Sequence, residues 1–180
     1  MRAYHCRAEQ MRARPPRLIL ITEQTIAGDQ LLPRASACLR AAQPGMVALQ
    51  LRDRQLSARQ RIDLGRALGA ECRRWGQFLV VNERVDLALL LEADGLHLPE
   101  QGVSAAEARA LAPTLWLSAA CHELPAVSGS PRAELPGAQL DAWLVSPVIS
   151  PRKGRSALGV AGFQALSVAL TAAAREDGQA

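Results

Sequence analysis

Gln77-Phe78-Leu79-Val80-Val81-Asn82, then Arg84 to Glu92, then Ala93-Asp94-Gly95-Leu96-His97-Leu98 is the stretch whose reading decides the fold. The first run is apolar on every side chain between two amides, which suits a strand buried on both faces. Arg84 to Glu92 carries its apolar residues at helical spacing, with Asp86 as a first-turn acid or ion-pair partner. Gly95-Leu96-His97-Leu98 is again short and apolar. Strand, helix and strand within so few residues make a parallel pair joined by one crossover.

The same alternation extends outward. Toward the N-terminus, Ser57 is placed to cap a long amphipathic helix ending near Trp75, with Gly76 as its stop. Met46 to Arg52 is a strand, Leu31 to Ala42 a helix closed by Pro44-Gly45, and Arg17 to Thr22 a strand buried on both faces. Residues 1–16 have no hydrophobic period and end in Pro15-Pro16, so they read as a basic tail or linker. Toward the C-terminus, Ser104 caps a helix from Ala105 to Leu111, and Leu115 to Cys121 is a strand. Residues 122–140 are rich in Pro, Gly and Ser. Asp141 to Ser146 is a sixth strand, and a helix spans about Gly159 to Arg175.

Such alternation fits an open doubly wound sheet or a (β/α)8 barrel. No G-x-G-x-x-G loop follows the first strand, which weighs against a dinucleotide fold. Polar residues fall at the strand ends: Gln50 and Arg52, Asn82 and Glu83, His97, His122, then Ser150 and Lys153. Barrels of this kind gather their chemistry at the C-terminal ends of the strands, so the placement favours the barrel. Only six βα units can be counted over residues 17–180, so the expectation is an α/β, TIM-barrel type domain that lacks its last two strands.

The chain has 180 residues, a net charge of +4 and only six aromatics. One domain with an aliphatic core is expected. The basic excess gathers in Arg2, Arg7, Arg12 and Arg14 with no interleaved aromatics, so nucleic acid is not the expected partner. Phosphorylated small molecules suit the charge better. The cysteines Cys6, Cys38, Cys72 and Cys121 form no close pair of the kind that zinc ribbons or redox dithiols need. Neither a membrane span nor an apolar signal core is present in the sequence, so a cytoplasmic location is expected.

The strand ends also carry a resemblance. Leu18-Ile19-Leu20-Ile21-Thr22, Gln50-Leu51-Arg52-Asp53-Arg54, Val81 to Ala88, Ala93 to Leu98, and Ser146-Pro147-Val148-Ile149 with the later Leu158-Gly159 together resemble the thiamine phosphate synthase and thiazole tautomerase family. The likeness covers roughly residues 17–166. It implies condensation of hydroxymethylpyrimidine diphosphate with thiazole phosphate, with release of pyrophosphate. It also implies Mg²⁺ as cofactor. By that resemblance Gln50, Arg52, Arg54, Asn82, Ser150 and Lys153 bind substrate, Glu83 holds the metal, and His122 is the catalytic candidate. Arg54 stands where the family has lysine, and Glu83 where it has aspartate.

Three departures are visible. The second metal-binding aspartate aligns with Gly102, so Glu100 or Gln101 would have to replace it. Ala120 stands where the family has serine, and the loop after Pro147 is short. The missing strands fit a truncated chain, an edge covered by a partner, or a decayed gene product. Ala119-Ala120-Cys121-His122 is also similar to a degenerate domain of this family fused to some Nudix hydrolases. Two alternatives to a synthase therefore stand: a metal-independent thiazole tautomerase, and a non-catalytic accessory or phosphate-binding domain. A Nudix-type partner goes with the latter, while the unclosed barrel itself predicts something other than a free monomer, such as a homo-oligomer.

Overall fold

The computed structural model describes residues 2–122, 139–152 and 154–176. In chain order its strands are β1 (Leu18–Ile21), β2 (Val47–Leu51), β3 (Phe78–Asn82), β4 (Gly95–Leu98), β5 (Trp116–Cys121) and β6 (Ala142–Val145). Its α-helices are α1 (Arg2–Ala13), α2 (Gln24–Ala27), α3 (Leu31–Ala41), α4 (Ala58–Arg74), α5 (Val85–Leu90), α6 (Ala105–Leu111) and α7 (Gly159–Glu176). The strands follow one another in sequence order in the sheet. The pairings β1–β2, β2–β3, β3–β4 and β5–β6 are parallel. This is the βα alternation that the sequence predicts.

The described residues group into two compact units: Met1–His97 with Ala108–Trp116, and Leu98–Glu107 with Leu117–Ala180. In the first, β2 and β3 are buried at every position, so a continuous apolar run means a strand covered on both faces. Leu39, Leu68, Leu79 and Leu96 lie at its centre, none more than 2% exposed. Ser57 caps α4 through a capping box with Gln60, each side chain bonding the other's backbone N–H. In the second unit, Leu166 and Leu170 of α7 pack with Cys121, and Trp143, Val145 and Leu158 close around them.

A repeated device fixes strand register. Gln77, just before β3, accepts the Val47 N–H of β2 at 2.9 Å. Asp94, just before β4, accepts the Leu79 N–H of β3 at 2.8 Å and returns its own N–H to the Leu79 carbonyl. Asp141, just before β6, does the same with Leu117 of β5. Each bond satisfies a buried backbone donor at the strand's N-terminal end and sets the offset of the next strand. Gly95 is required beside Asp94, because a Cβ there would sit 2.9 Å from the Trp116 carbonyl oxygen.

Two expectations need correction. Residues 2–13, expected as part of a basic tail or linker, form a helix. Met11 and Ala8 are buried, and Arg7 makes a bidentate ion pair with Asp94 (2.7 and 3.2 Å) while lying over the Phe78 ring. Arg12 donates to the carbonyls of Thr114 and Leu115. Among the described side chains of this helix the buried apolar ones are Ala8 and Met11, three positions apart, too few to show a period in the sequence. The second correction is β1, whose Leu18 and Ile21 are half exposed rather than buried on both faces. As the end strand of the order, β1 has a neighbour on one side only.

Candidate functional site

The C-terminal ends of β1, β2 and β3 gather the polar groups of the first unit. Asp53, 1% exposed, takes the Thr22 hydroxyl and the Gln24 N–H (2.5 Å), tying the segment after β1 to the one after β2. The Arg52 N–H donates to the Thr22 hydroxyl at 3.0 Å, so the same knot fixes the backbone that carries Arg52. Its guanidinium stands 3.9 Å from Glu23. Asp53, Thr22 and Glu23 did not stand out in the sequence, because they gain meaning only once two strand ends lie side by side.

Gln50 and Asn82 are both buried, and the Gln50 amide donates to Asn82 Oδ1 at 2.9 Å. That bond fixes the Asn82 amide with its oxygen engaged. Its Nδ2 is buried without a partner. An unused buried donor costs on the order of 1–3 kcal/mol, unless a ligand takes it.

Glu83 follows directly. Its φ of +60° lies in the left-handed region, unusual for a side chain with a Cβ, and its N–H donates to the His97 carbonyl at 2.8 Å. The carboxylate meets Arg54 Nη2 at 2.6 Å and Arg61 Nη1 at 3.9 Å. Arg61 comes from the first turn of α4. Its side chain is only 14% exposed and its Nε has no hydrogen-bond partner. In the sequence it reads as one more solvated arginine on a helix, and no spacing signal marks it. Asp86 is an ion-pair residue, as expected: hydrogen bonds from the Arg84 guanidinium hold its carboxyl below the usual range.

The second unit carries the remaining candidates. His122, at the end of β5, places Nδ1 2.5 Å from the Ser146 carbonyl and 3.4 Å from the Ser146 hydroxyl. A carbonyl can only accept, so Nδ1 is the donor in this contact. Ser150 is exposed on the loop after β6. Lys153 lies outside the described residues. Glu100 pairs with Arg155, and Gly102 offers no side-chain oxygen. The structure thus brings Gln50 to Asn82 and Arg54 to Glu83, joins Arg52 to Glu23, and sets His122 against Ser146.

The donor set does not fit a bound Mg²⁺. Magnesium wants hard oxygens, usually from one or two carboxylates beside substrate phosphates. One expected carboxylate is replaced by Gly102, and the other, Glu83, faces two guanidinium groups. Among the described residues no group of three or more His, Cys, Asp or Glu side chains is placed to hold a metal.

The comparisons agree with this fold. The family model for thiamine monophosphate synthase matches residues 18–173. The thiamine-phosphate synthase of Albidiferax ferrireducens is 34% identical over 144 residues, 79% of this chain and 63% of that protein. A putative thiamine-phosphate synthase of Geobacter sulfurreducens is 42% identical over 95 residues, 52% of this chain and 43% of that protein. The thiamine-phosphate synthase of Nostoc is 38% identical over 98 residues, 54% of this chain but 26% of that protein. The chain therefore spans between about a quarter and two-thirds of the curated relatives it matches. Among solved structures, thiamine phosphate pyrophosphorylase from Pyrococcus furiosus superposes with a TM-score of 0.68 at 20% identity. The match covers 87% of this chain and 71% of that one. The fold is of the α/β, TIM-barrel type.

Proposed function

The chain belongs to the thiamine monophosphate synthase family, and from that premise we propose that it acts in thiamine biosynthesis by joining hydroxymethylpyrimidine diphosphate to thiazole phosphate. The observation that carries the reading is the unused amide donor of buried Asn82 at the end of β3, with Arg52 and Arg54 following the end of the neighbouring strand β2. When the C–O bond to the diphosphate breaks, negative charge builds on the leaving oxygens. Fixed cations and amide donors lower that barrier because they need no reorganisation. Arg52 and Arg54 supply the charge, Asn82 Nδ2 supplies a hydrogen bond, and Gln50 holds Asn82 in position.

Ser150 and Lys153 belong to the same proposal as contacts for substrate phosphates. His122 enters as the proton-handling group, its ring held by the contact of Nδ1 with the Ser146 carbonyl. Synthases of this kind are generally Mg²⁺-dependent. The residues here do not fit that ion, so no step is routed through it. No described helix is long and apolar enough to cross a membrane, and a cytoplasmic site of action is part of the proposal. Light scattering of the purified chain checks the further expectation of a homo-oligomer or a Nudix-type assembly.

The test is direct. The purified chain, given both substrates with and without Mg²⁺, forms thiamine phosphate, and Arg52→Ala lowers the rate by roughly a hundredfold, the size typical of lost transition-state charge stabilisation. A folded wild-type chain that forms no product under either condition overturns the synthase reading.

A further inference from the structure

We propose that Glu83 is a resident counter-ion rather than a metal ligand, held by Arg54 and Arg61 until a diphosphate displaces it, so that Arg61 is a binding residue and the anion is taken up without a metal ion. The inference rests on the reading of this site as a diphosphate site and deepens it.

The cluster has more donors than acceptors. Glu83 offers two oxygens, at 2.6 Å from Arg54 and 3.9 Å from Arg61. Against them stand two guanidinium groups. The Arg61 Nε is buried and unused, although its side chain is largely withdrawn from water. Burying a cation with an idle donor is unfavourable unless a second acceptor arrives. A carboxylate is one acceptor group too few, whereas a diphosphate brings several charged oxygens and more than one negative charge.

Exchange is also cheap. The Arg54 side chain is 49% exposed and Glu83 is 28% exposed, so water screens their pair and the bond between them is weak. Replacing a monoanion by a multiply charged anion strengthens every contact with the two arginines. Arg61 fits this role through its location: it leaves the first turn of α4, one turn after the Ser57 cap, and reaches across to the residue after β3. The left-handed backbone at Glu83 turns this carboxylate out of the strand at the point where Asn82 ends it.

The experiment measures binding of inorganic pyrophosphate by calorimetry to the wild type, Glu83→Gln, Arg61→Ala and Arg61→Lys, each in EDTA and in Mg²⁺. The cage predicts binding in EDTA, about tenfold tighter for Glu83→Gln because the competing charge is gone. Arg61→Ala weakens binding by roughly tenfold or more, and Arg61→Lys recovers part of it. Binding seen only with Mg²⁺ and lost in Glu83→Gln makes Glu83 a metal ligand and overturns the proposal. Absence of pyrophosphate binding in both conditions overturns it as well. The synthase reading is judged separately. Metal-free binding without product leaves the cage and removes the synthase, whereas product with strictly Mg²⁺-dependent binding does the reverse.

Discussion

Asp94 shows how much one residue can carry. Its carboxylate accepts from Arg7 on α1 and from the Leu79 N–H on β3, and the residue is 5% exposed. Asp94→Ala leaves Arg7 without its partner and a buried amide unsatisfied, so a loss of about 3 kcal/mol is expected, read from urea midpoints at constant m. Asp53 is the counterpart at the other strand ends. Its replacement by Ala frees Thr22 and Gln24 and costs about 2 kcal/mol. Cys72 tests burial in a different way. Burial pushes its thiol up from the ordinary 9.0 to about 12, and the Sγ–H donates to the Phe78 carbonyl at 3.4 Å. The folded state thus keeps this thiol neutral where the unfolded chain ionises it. Its contribution is present in full below pH 9 and is lost as the pH rises toward 12. At pH 8 a maleimide reagent modifies the exposed Cys38 in the native protein, and Cys72 only after denaturant is added.

At the scale of elements, the helices and strands announce themselves to the degree that their contacts are periodic. Ser57 and Gln60 spell out the start of α4, and Ser57→Ala lowers the thermal stability by about 1 kcal/mol. The β3–α5–β4 unit is equally plain, since Phe78 to Asn82 is buried throughout. Gly95→Ala would press a methyl against the Trp116 carbonyl, a backbone atom that cannot swing away; a cost of about 1–3 kcal/mol is expected in the same melts. The helix α1 is the opposite case. Among its described side chains Ala8 and Met11 are buried, and Arg7 and Arg12 are long side chains reaching residues seventy or more positions away. Nothing in residues 1–16 themselves encodes those partners. Removing residues 1–13 therefore lowers the melting temperature by several degrees, in contrast to trimming a free tail.

At the scale of the whole molecule, the net charge of +4 gives the chain a field that favours phosphorylated ligands. Pyrophosphate affinity is expected to fall by roughly tenfold between 0.05 and 0.5 M NaCl, because the screening length shortens to a few ångströms. A flat salt profile would mean that only the short-range contacts at Asn82 matter.

The sequence by itself determined the α/β alternation, the parallel order, and the strand ends at which Gln50, Arg52, Arg54, Asn82, Glu83 and His122 stand. It did so because apolar runs and helical spacing are local, and because a βα fold places its polar groups where strands end. Tertiary structure alone decided which of those groups meet. Only packing brings Arg61 to Glu83, aligns Gln50 with Asn82, sets Asp53 between Thr22 and Gln24, and lays α1 against Asp94. Those contacts depend on residues distant in the chain, and a lone arginine or aspartate carries no mark of the partner that folding gives it.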